Sequence, residues 1–197
     1  QIANRVLITW SRPHPEFNGM DLAQVQARLG RSLEDTVAAL RPAGAIYFSM
    51  DEADVQRILG FDQTMVGSDG IPHDASPHPR LWGTFPRVLG HYARDLGLFS
   101  MEQAVRKLTH DNAEAWELHD RGVLREGYKA DVLLFEEDRI RPCLPTVETD
   151  LPGGARRLVQ KAEGIAATVV NGQVAFENGI ATGNHGGQLL KGTGARD

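Results

Sequence analysis

Between Ala45 and Asp69 the chain passes from an apolar run to an amphipathic stretch and back to an apolar run within about 25 residues. That spacing limits the fold more than any other feature. Ala45-Ile46-Tyr47-Phe48-Ser49-Met50 reads as a strand. Asp51 can cap a helix starting at Glu52, with Val55, Ile58 and Leu59 on one face. Met65-Val66-Gly67-Ser68 is a second strand-like run that ends at Asp69-Gly70. Strand, helix and strand at this distance predict a βαβ crossover, in which the two strands lie parallel.

The flanks carry the same grammar. Val6 to Trp10 (VLITW) is a β-branched, apolar run with the pattern of a buried strand, and Ser11-Arg12-Pro13-His14-Pro15 breaks it. Leu22, Val25, Gln26 and Leu29 keep helical spacing, with Gly30 as the stop. Ser32 then predicts an N-cap, with Asp35 three residues on, for a helix through Leu40. A long loop follows the second apolar run, Ile71 to Gly83, with three prolines and two histidines. Loops of that length are usually functional or disordered, and the prolines and Trp82 favour the former. Helical spacing resumes at Phe85, Val88, Leu89 and Tyr92. A further helix is expected from a Ser100 cap with Gln103 in the capping-box position.

Near Leu118 the texture changes. Short strand candidates separated by glycine follow: Val123-Leu124, Asp131 to Phe135, Ala167 to Val170 and Gln173 to Phe176. Asn171-Gly172 between the last two is a strong two-residue hairpin signal. This end reads as all-β, with a glycine-rich tail from Gly183.

The charge balance, 21 basic against 26 acidic residues, gives −5. It points to no nucleic-acid partner, because the basic stripe such a protein needs is missing. The densest basic spot, Arg156, Arg157 and Lys161, reads as a solvated helix face or loop. No apolar run approaches the ~20 residues of a membrane span, so no membrane partner is expected. Cys143 is the single cysteine; it excludes an internal disulfide, and the expected location is cytoplasmic.

The chemistry centres on Asp69. A strand that delivers a carboxylate at its carboxyl end, just before a glycine, is the arrangement by which α/β barrels place catalytic groups. Such a carboxylate can ligate a metal or take a proton from an activated water. Asp-Gly alone is a common turn, and Arg80, Met50, His73 and His78 alone are ordinary loop or surface residues.

The longer pattern is more specific. Gly67-Ser68-Asp69-Gly70-Ile71-Pro72-His73-Asp74, followed by Pro77-His78-Pro79-Arg80-Leu81-Trp82-Gly83-Thr84-Phe85-Pro86-Arg87-Val88-Leu89-Gly90, resembles the barrel-closing segment of N-acyl-D-amino-acid deacylases (D-aminoacylases) in the amidohydrolase superfamily. The resemblance extends upstream through Pro42 to Glu52. Downstream, Asp120-Arg121-Gly122 and Gly127-Tyr128-Lys129-Ala130-Asp131 look like the superfamily's entry into its β-sandwich, and Val169-Val170-Asn171-Gly172 is similar to the closing hairpin. Only the carboxyl-terminal part of the family's length is matched.

The resemblance implies roles. Asp69 corresponds to the family's general base and acid, beside the metal and counted here as a metal ligand. Arg80 corresponds to the arginine that binds the substrate's α-carboxylate, a task suited to a planar guanidinium. Met50 corresponds to a methionine lining the side-chain pocket, where a flexible thioether tolerates varied groups. His73 and His78 fit loop orientation or substrate contact better than zinc ligation. The implied activity is zinc-dependent hydrolysis of the linear amide of N-acyl-D-amino acids, small molecules.

Superfamily members hold zinc with a His-x-His pair and further histidines, and no His-x-His occurs in this sequence. Cys143 lies past the barrel and does not match the family's metal-binding cysteine. The main zinc ligands are therefore expected upstream of Gln1, and the chain by itself is expected to be catalytically inert. Lys107 to Asn112 and Trp116-Glu117-Leu118 depart from the family pattern at positions beyond the site.

The expected fold is the last strands and helices of a (β/α)8 barrel followed by part of a small β-sandwich. Residues 1–118 are assigned to the barrel, with 13–42 as an insertion over its mouth, 119–186 to the sandwich and 187–197 to a flexible tail. An incomplete barrel should pair with an upstream barrel segment or self-associate. Two rival readings stand: a cyclic amidase of the dihydropyrimidinase or hydantoinase type, and a non-catalytic structural module.

Overall fold

The computed structural model describes residues 2–70 and 78–190. They gather into two compact units, one of Gln1–Phe85 with Pro142–Lys161, the other of Pro86–Arg141 with Ala162–Asp197.

In the first unit, strand Val6–Ser11 pairs antiparallel with strand Ala43–Tyr47, Val6 opposite Tyr47 and Ser11 opposite Ala43. Alternating apolar residues give this pair one buried face. Val6 and Ile8 meet Phe17, Leu22, Val25 and Leu40 in the core. Each fully buried side chain of this kind stabilises by roughly 1.5–3 kcal/mol. Residues between the two strands thus supply most of the core. Helix Leu22–Leu29 starts at a capping box between Asp21 and Gln24 and stops at Gly30, which takes a left-handed φ of 62°. Helix Leu33–Leu40 starts at Ser32, whose hydroxyl accepts the Asp35 amide. The buried Ser11 hydroxyl donates to the Leu40 carbonyl at 2.7 Å and ties the strand to that helix end.

The predicted helix after Asp51 is present as Glu52–Gly60, with the Asp51 carboxylate accepting the Ala53 amide. The second strand of the expected crossover is not. Met65 to Ser68 is irregular backbone. Thr64 Oγ1 donates to the Ile58 carbonyl and turns the chain back at the helix end. Among the described residues, 65–68 belong to no strand. Strand Ala43–Tyr47 is paired antiparallel instead of parallel and ends at Tyr47.

A second hairpin joins strands Thr146–Leu151 and Ala155–Val159. Arg156 and Arg157, expected on a helix or loop, lie on its second strand. Pro152-Gly153-Gly154 makes the turn, with φ of 72° at both glycines. Arg157 then faces Asp150 and donates two hydrogen bonds to its carboxylate, at 2.8 and 2.7 Å.

The chain continues from helix Arg80–Arg87 into the π-helix Val88–Asp95. Pro86 lacks an amide to donate, which suits a change of helical pitch here. In the second unit, helix Met101–Leu108 begins at the predicted Ser100–Gln103 capping box, and helix His110–Ala115 follows. Four antiparallel strands form a sheet in the order Ile180–Ala181, Gln173–Glu177, Ile165–Val170 and Val132–Phe135. Asn171 and Gly172 turn its central hairpin with φ of 50° and 79°. The Asp131 carboxylate accepts the Asn171 amide at 2.7 Å and pairs with Arg121 at 3.2 Å. The Asp120-Arg121 and Asp131 motif is therefore a brace for that turn. Among the described residues Val123-Leu124, expected as a strand, lies in none, and Leu124 is exposed. Among the described residues no helix is long and apolar enough to cross a membrane.

Candidate functional site

The site is built around Gly70. A Cβ on Gly70 would lie 2.5 Å from the Leu81 Cα, a distance no real side chain tolerates. Glycine here lets the start of helix Arg80–Arg87 close onto the chain at Asp69-Gly70. Asp69 itself adopts a left-handed φ of 49°, which aspartate tolerates better than most residues. Ser68 Oγ accepts the Gly70 amide at 3.2 Å and steadies the turn.

This closure brings Asp69 and Arg80 together. Arg80 Nε donates to the Asp69 carbonyl at 2.9 Å, and Arg80 Nη2 meets Asp69 Oδ2 at 2.9 Å. The guanidinium thus holds both the backbone and the carboxylate of one residue. The Asp69 side chain is 86% exposed and that of Arg80 43%. Water screens such a pair, so it contributes about 0–1 kcal/mol and can exchange partners.

Helix Arg80–Arg87 begins on His78 and Pro79. The Arg80 amide donates to His78 Nδ1 at 3.1 Å, and the Leu81 amide donates to the His78 carbonyl at 3.1 Å. Partial burial, and then the positive charge of Arg80, push the His78 imidazole below its ordinary pKa. His73 lies outside the described residues. Met50 places its carbonyl 2.8 Å from Arg5 Nη2 and is itself 62% exposed. No hydrogen bond or ion pair among the described residues ties it to Asp69 or Arg80.

His78 and Pro79 also border a cleft of about 480 Å³ in the first unit, with Trp10, Gly44, Arg156 and Arg157 on its other sides. Arg156 lies over the Trp10 ring at 5.3 Å, and Arg157 over Trp82 at 5.8 Å. This cleft escapes a reading of the sequence, because its walls come from four distant segments. The Pro-Gly-Gly turn was the one local signal for the Arg156 wall.

Zinc requires three protein ligands and an open position for catalysis, or four ligands for structure. Asp69 offers one oxygen donor. Among the described residues no group of three or more histidine, cysteine, aspartate or glutamate side chains could hold a metal. Asp69 fits as one member of a shared site, not as a site.

A model of the amidohydrolase family matches residues 30–176. The chain belongs to the amidohydrolase family. D-aminoacylase from Alcaligenes xylosoxydans xylosoxydans is 50% identical over 194 residues, which cover 98% of this chain and 38% of that protein. A solved D-aminoacylase described by its binuclear metal centre shares 49% identity at a TM-score of 0.60, over 93% of this chain and 37% of that one. N-acyl-D-glutamate deacylase from Bordetella bronchiseptica, solved with zinc and a phosphonate that mimics the tetrahedral intermediate, shares 44% identity at a TM-score of 0.58. That match covers 88% of this amidohydrolase chain and 35% of the other. The chain therefore spans just over a third of these relatives. The family expected from the motifs around Asp69 and Arg80 is the family found.

Proposed function

We propose that this chain contributes the general base and the carboxylate clamp to a zinc-dependent deacylase of N-acyl-D-amino acids. The observation that carries the reading is the Asp69–Arg80 pair at 2.9 Å. A carboxylate and a guanidinium fork are juxtaposed on a motif that resembles that of N-acyl-D-amino-acid deacylases, in a chain 50% identical to a D-aminoacylase.

Zinc, when bound, polarises the acyl carbonyl and makes a water more acidic. Asp69 accepts the proton of the attacking water and returns it to the departing amine nitrogen. Asp69 would also give the metal one oxygen, and the remaining ligands come from protein outside this chain. Arg80 binds the substrate's α-carboxylate. To do so its Nη2 trades Asp69 Oδ2 for the substrate, an exchange of one carboxylate for another at an exposed fork. Fixing the carboxylate, the acyl group and the side chain at three points selects one hand of the Cα. Met50 contributes to the side-chain point by this reading, and the exposure of that residue supports it.

The same reading assigns residues 1–118 to the last part of a (β/α)8 barrel, with 13–42 over its mouth, residues 119–186 to a β-sandwich portion and 187–197 to a tail, in a cytoplasmic protein. A structure of the complete protein would check that assignment. Tyr47, Phe48 and Phe61 are each more than half exposed, which supports pairing with an upstream barrel segment or self-association. Light scattering should then find the 197-residue chain larger than a monomer; a monodisperse monomer would count against it.

The test of function is amine release by the complete, zinc-supplied protein from N-acetyl-D-methionine, N-acetyl-D-glutamate and their L forms. Turnover of the D forms alone is expected. Silence on all four with zinc bound would favour a cyclic amidase; silence without zinc would favour a non-catalytic module.

A further inference from the structure

We propose that His78 is a positioning residue for Arg80: its imidazole Nδ1 accepts the Arg80 amide and so fixes the direction in which the guanidinium leaves the helix. The inference rests on the clamp role given to Arg80 above. The first amides of a helix have no partner inside it. Serine, threonine, aspartate or asparagine usually supplies one. None of these stands at the start of helix Arg80–Arg87; the chain reads Pro77-His78-Pro79-Arg80. His78 fills the gap twice, with Nδ1 for the Arg80 amide at 3.1 Å and with its carbonyl for the Leu81 amide at 3.1 Å.

The ring can accept only on an unprotonated nitrogen. Its tautomer is therefore the one with hydrogen on Nε2, and the burial and the Arg80 charge that disfavour protonation support it. The geometry downstream depends on this. Arg80 reaches Asp69 through Nε and Nη2 together, at 2.9 Å each. Two contacts from one planar group hold only if the backbone beneath it is fixed. Gly70 against Leu81 sets how close the helix comes; His78 sets where its first residue points. Asparagine at 78 would offer Oδ1 in place of Nδ1, whereas alanine would leave the amide to water.

The test uses two variants and two readouts. In the 197-residue chain, hydrogen exchange at the Arg80 amide should quicken about tenfold or more in His78→Ala and return toward the parent rate in His78→Asn. In the complete, zinc-supplied protein, His78→Ala should raise KM for N-acetyl-D-methionine about tenfold with kcat little changed, and His78→Asn should restore it. Unchanged Arg80 exchange in His78→Ala would overturn the proposal. So would a loss confined to kcat, or a His78→Asn variant as impaired as His78→Ala. If the parent protein turns over no substrate while the exchange pattern holds, the hold on Arg80 stands and the deacylase reading fails.

Discussion

The Asn171-Gly172 hairpin and the Asp69–Arg80 pair are both tight turns of chemistry around a glycine, yet they are assembled differently. At the hairpin, glycine is needed for its backbone angle: φ is 79°, and a Cβ there would meet nothing within 4 Å. At Gly70 glycine is needed for space, since a Cβ would strike Leu81. The hairpin is specified by two neighbouring residues and braced afterwards by Asp131. The pair is specified by residues eleven apart that meet only because a side chain is missing between them. Turn chemistry is a local property; a site is a coincidence of separate segments.

That contrast can be broken at either end. The largest effect is expected from Asp69→Asn in the complete, zinc-supplied protein: turnover should fall by about 10²–10⁴-fold, the range for losing a general acid–base group, while the circular dichroism spectrum stays that of the parent. Retained turnover would remove Asp69 from the base role. Next is Arg80→Lys. A single ammonium cannot reproduce a two-point fork, so KM for carboxylate-bearing substrates should rise about 10–100-fold, the worth of about 1.5–3 kcal/mol in charge-assisted hydrogen bonds. An unchanged KM would count against the clamp.

Two glycine variants in urea unfolding separate the two roles. Gly70→Ala should cost about 1–3 kcal/mol through overpacking and should separate Arg80 from Asp69. Gly172→Ala should cost about 1–2 kcal/mol through the left-handed backbone alone and leave the pair intact. Equal disturbance of the Asp69–Arg80 pair by both would refute the division between local and assembled glycines.

The smallest effect concerns pH. His78 has its folded pKa pushed below the ordinary 6.5 by burial and by Arg80, with Arg156 and Arg157 also bordering its cleft. The unfolded chain therefore binds this proton first as pH falls. Stability from His78 is fully present above about 6.5 and is lost as pH drops through the depressed folded value. The urea midpoint of the parent should fall from pH 7.5 to pH 5 slightly more than that of His78→Asn. An identical pH response would show that His78 is not protonated differently in the two states.

Much of the local structure was legible. Ser32, Asp51 and Ser100 cap helices where the pattern placed them, and the capping box at Ser100–Gln103 is complete. Strand Val6–Ser11 and the Asn171-Gly172 hairpin follow from apolar runs and turn residues. Met65 to Ser68 is apolar enough for a strand yet lies in none among the described residues, because β-propensity describes fit to a sheet surface and not an intrinsic backbone preference. Arg156 and Arg157 fall on a strand and not on a helix or loop because Pro152-Gly153-Gly154 turns the chain back just before them. Asp69 and Arg80 stand out as candidates only through the long motif that surrounds them. Neither residue type in isolation would have singled them out.

The sequence by itself determined the helix starts, the hairpin turns, the amidohydrolase resemblance and the candidate pair. Each is carried by residues within a few positions of one another, where backbone sterics and local hydrogen bonds decide the outcome. Tertiary structure alone decided that strand Ala43–Tyr47 runs antiparallel to Val6–Ser11, that Arg80 holds Asp69 by two contacts, and that His78 supports Arg80 from below. Those depend on which surfaces approach each other in space, and on the missing Cβ of Gly70 that permits one of those approaches.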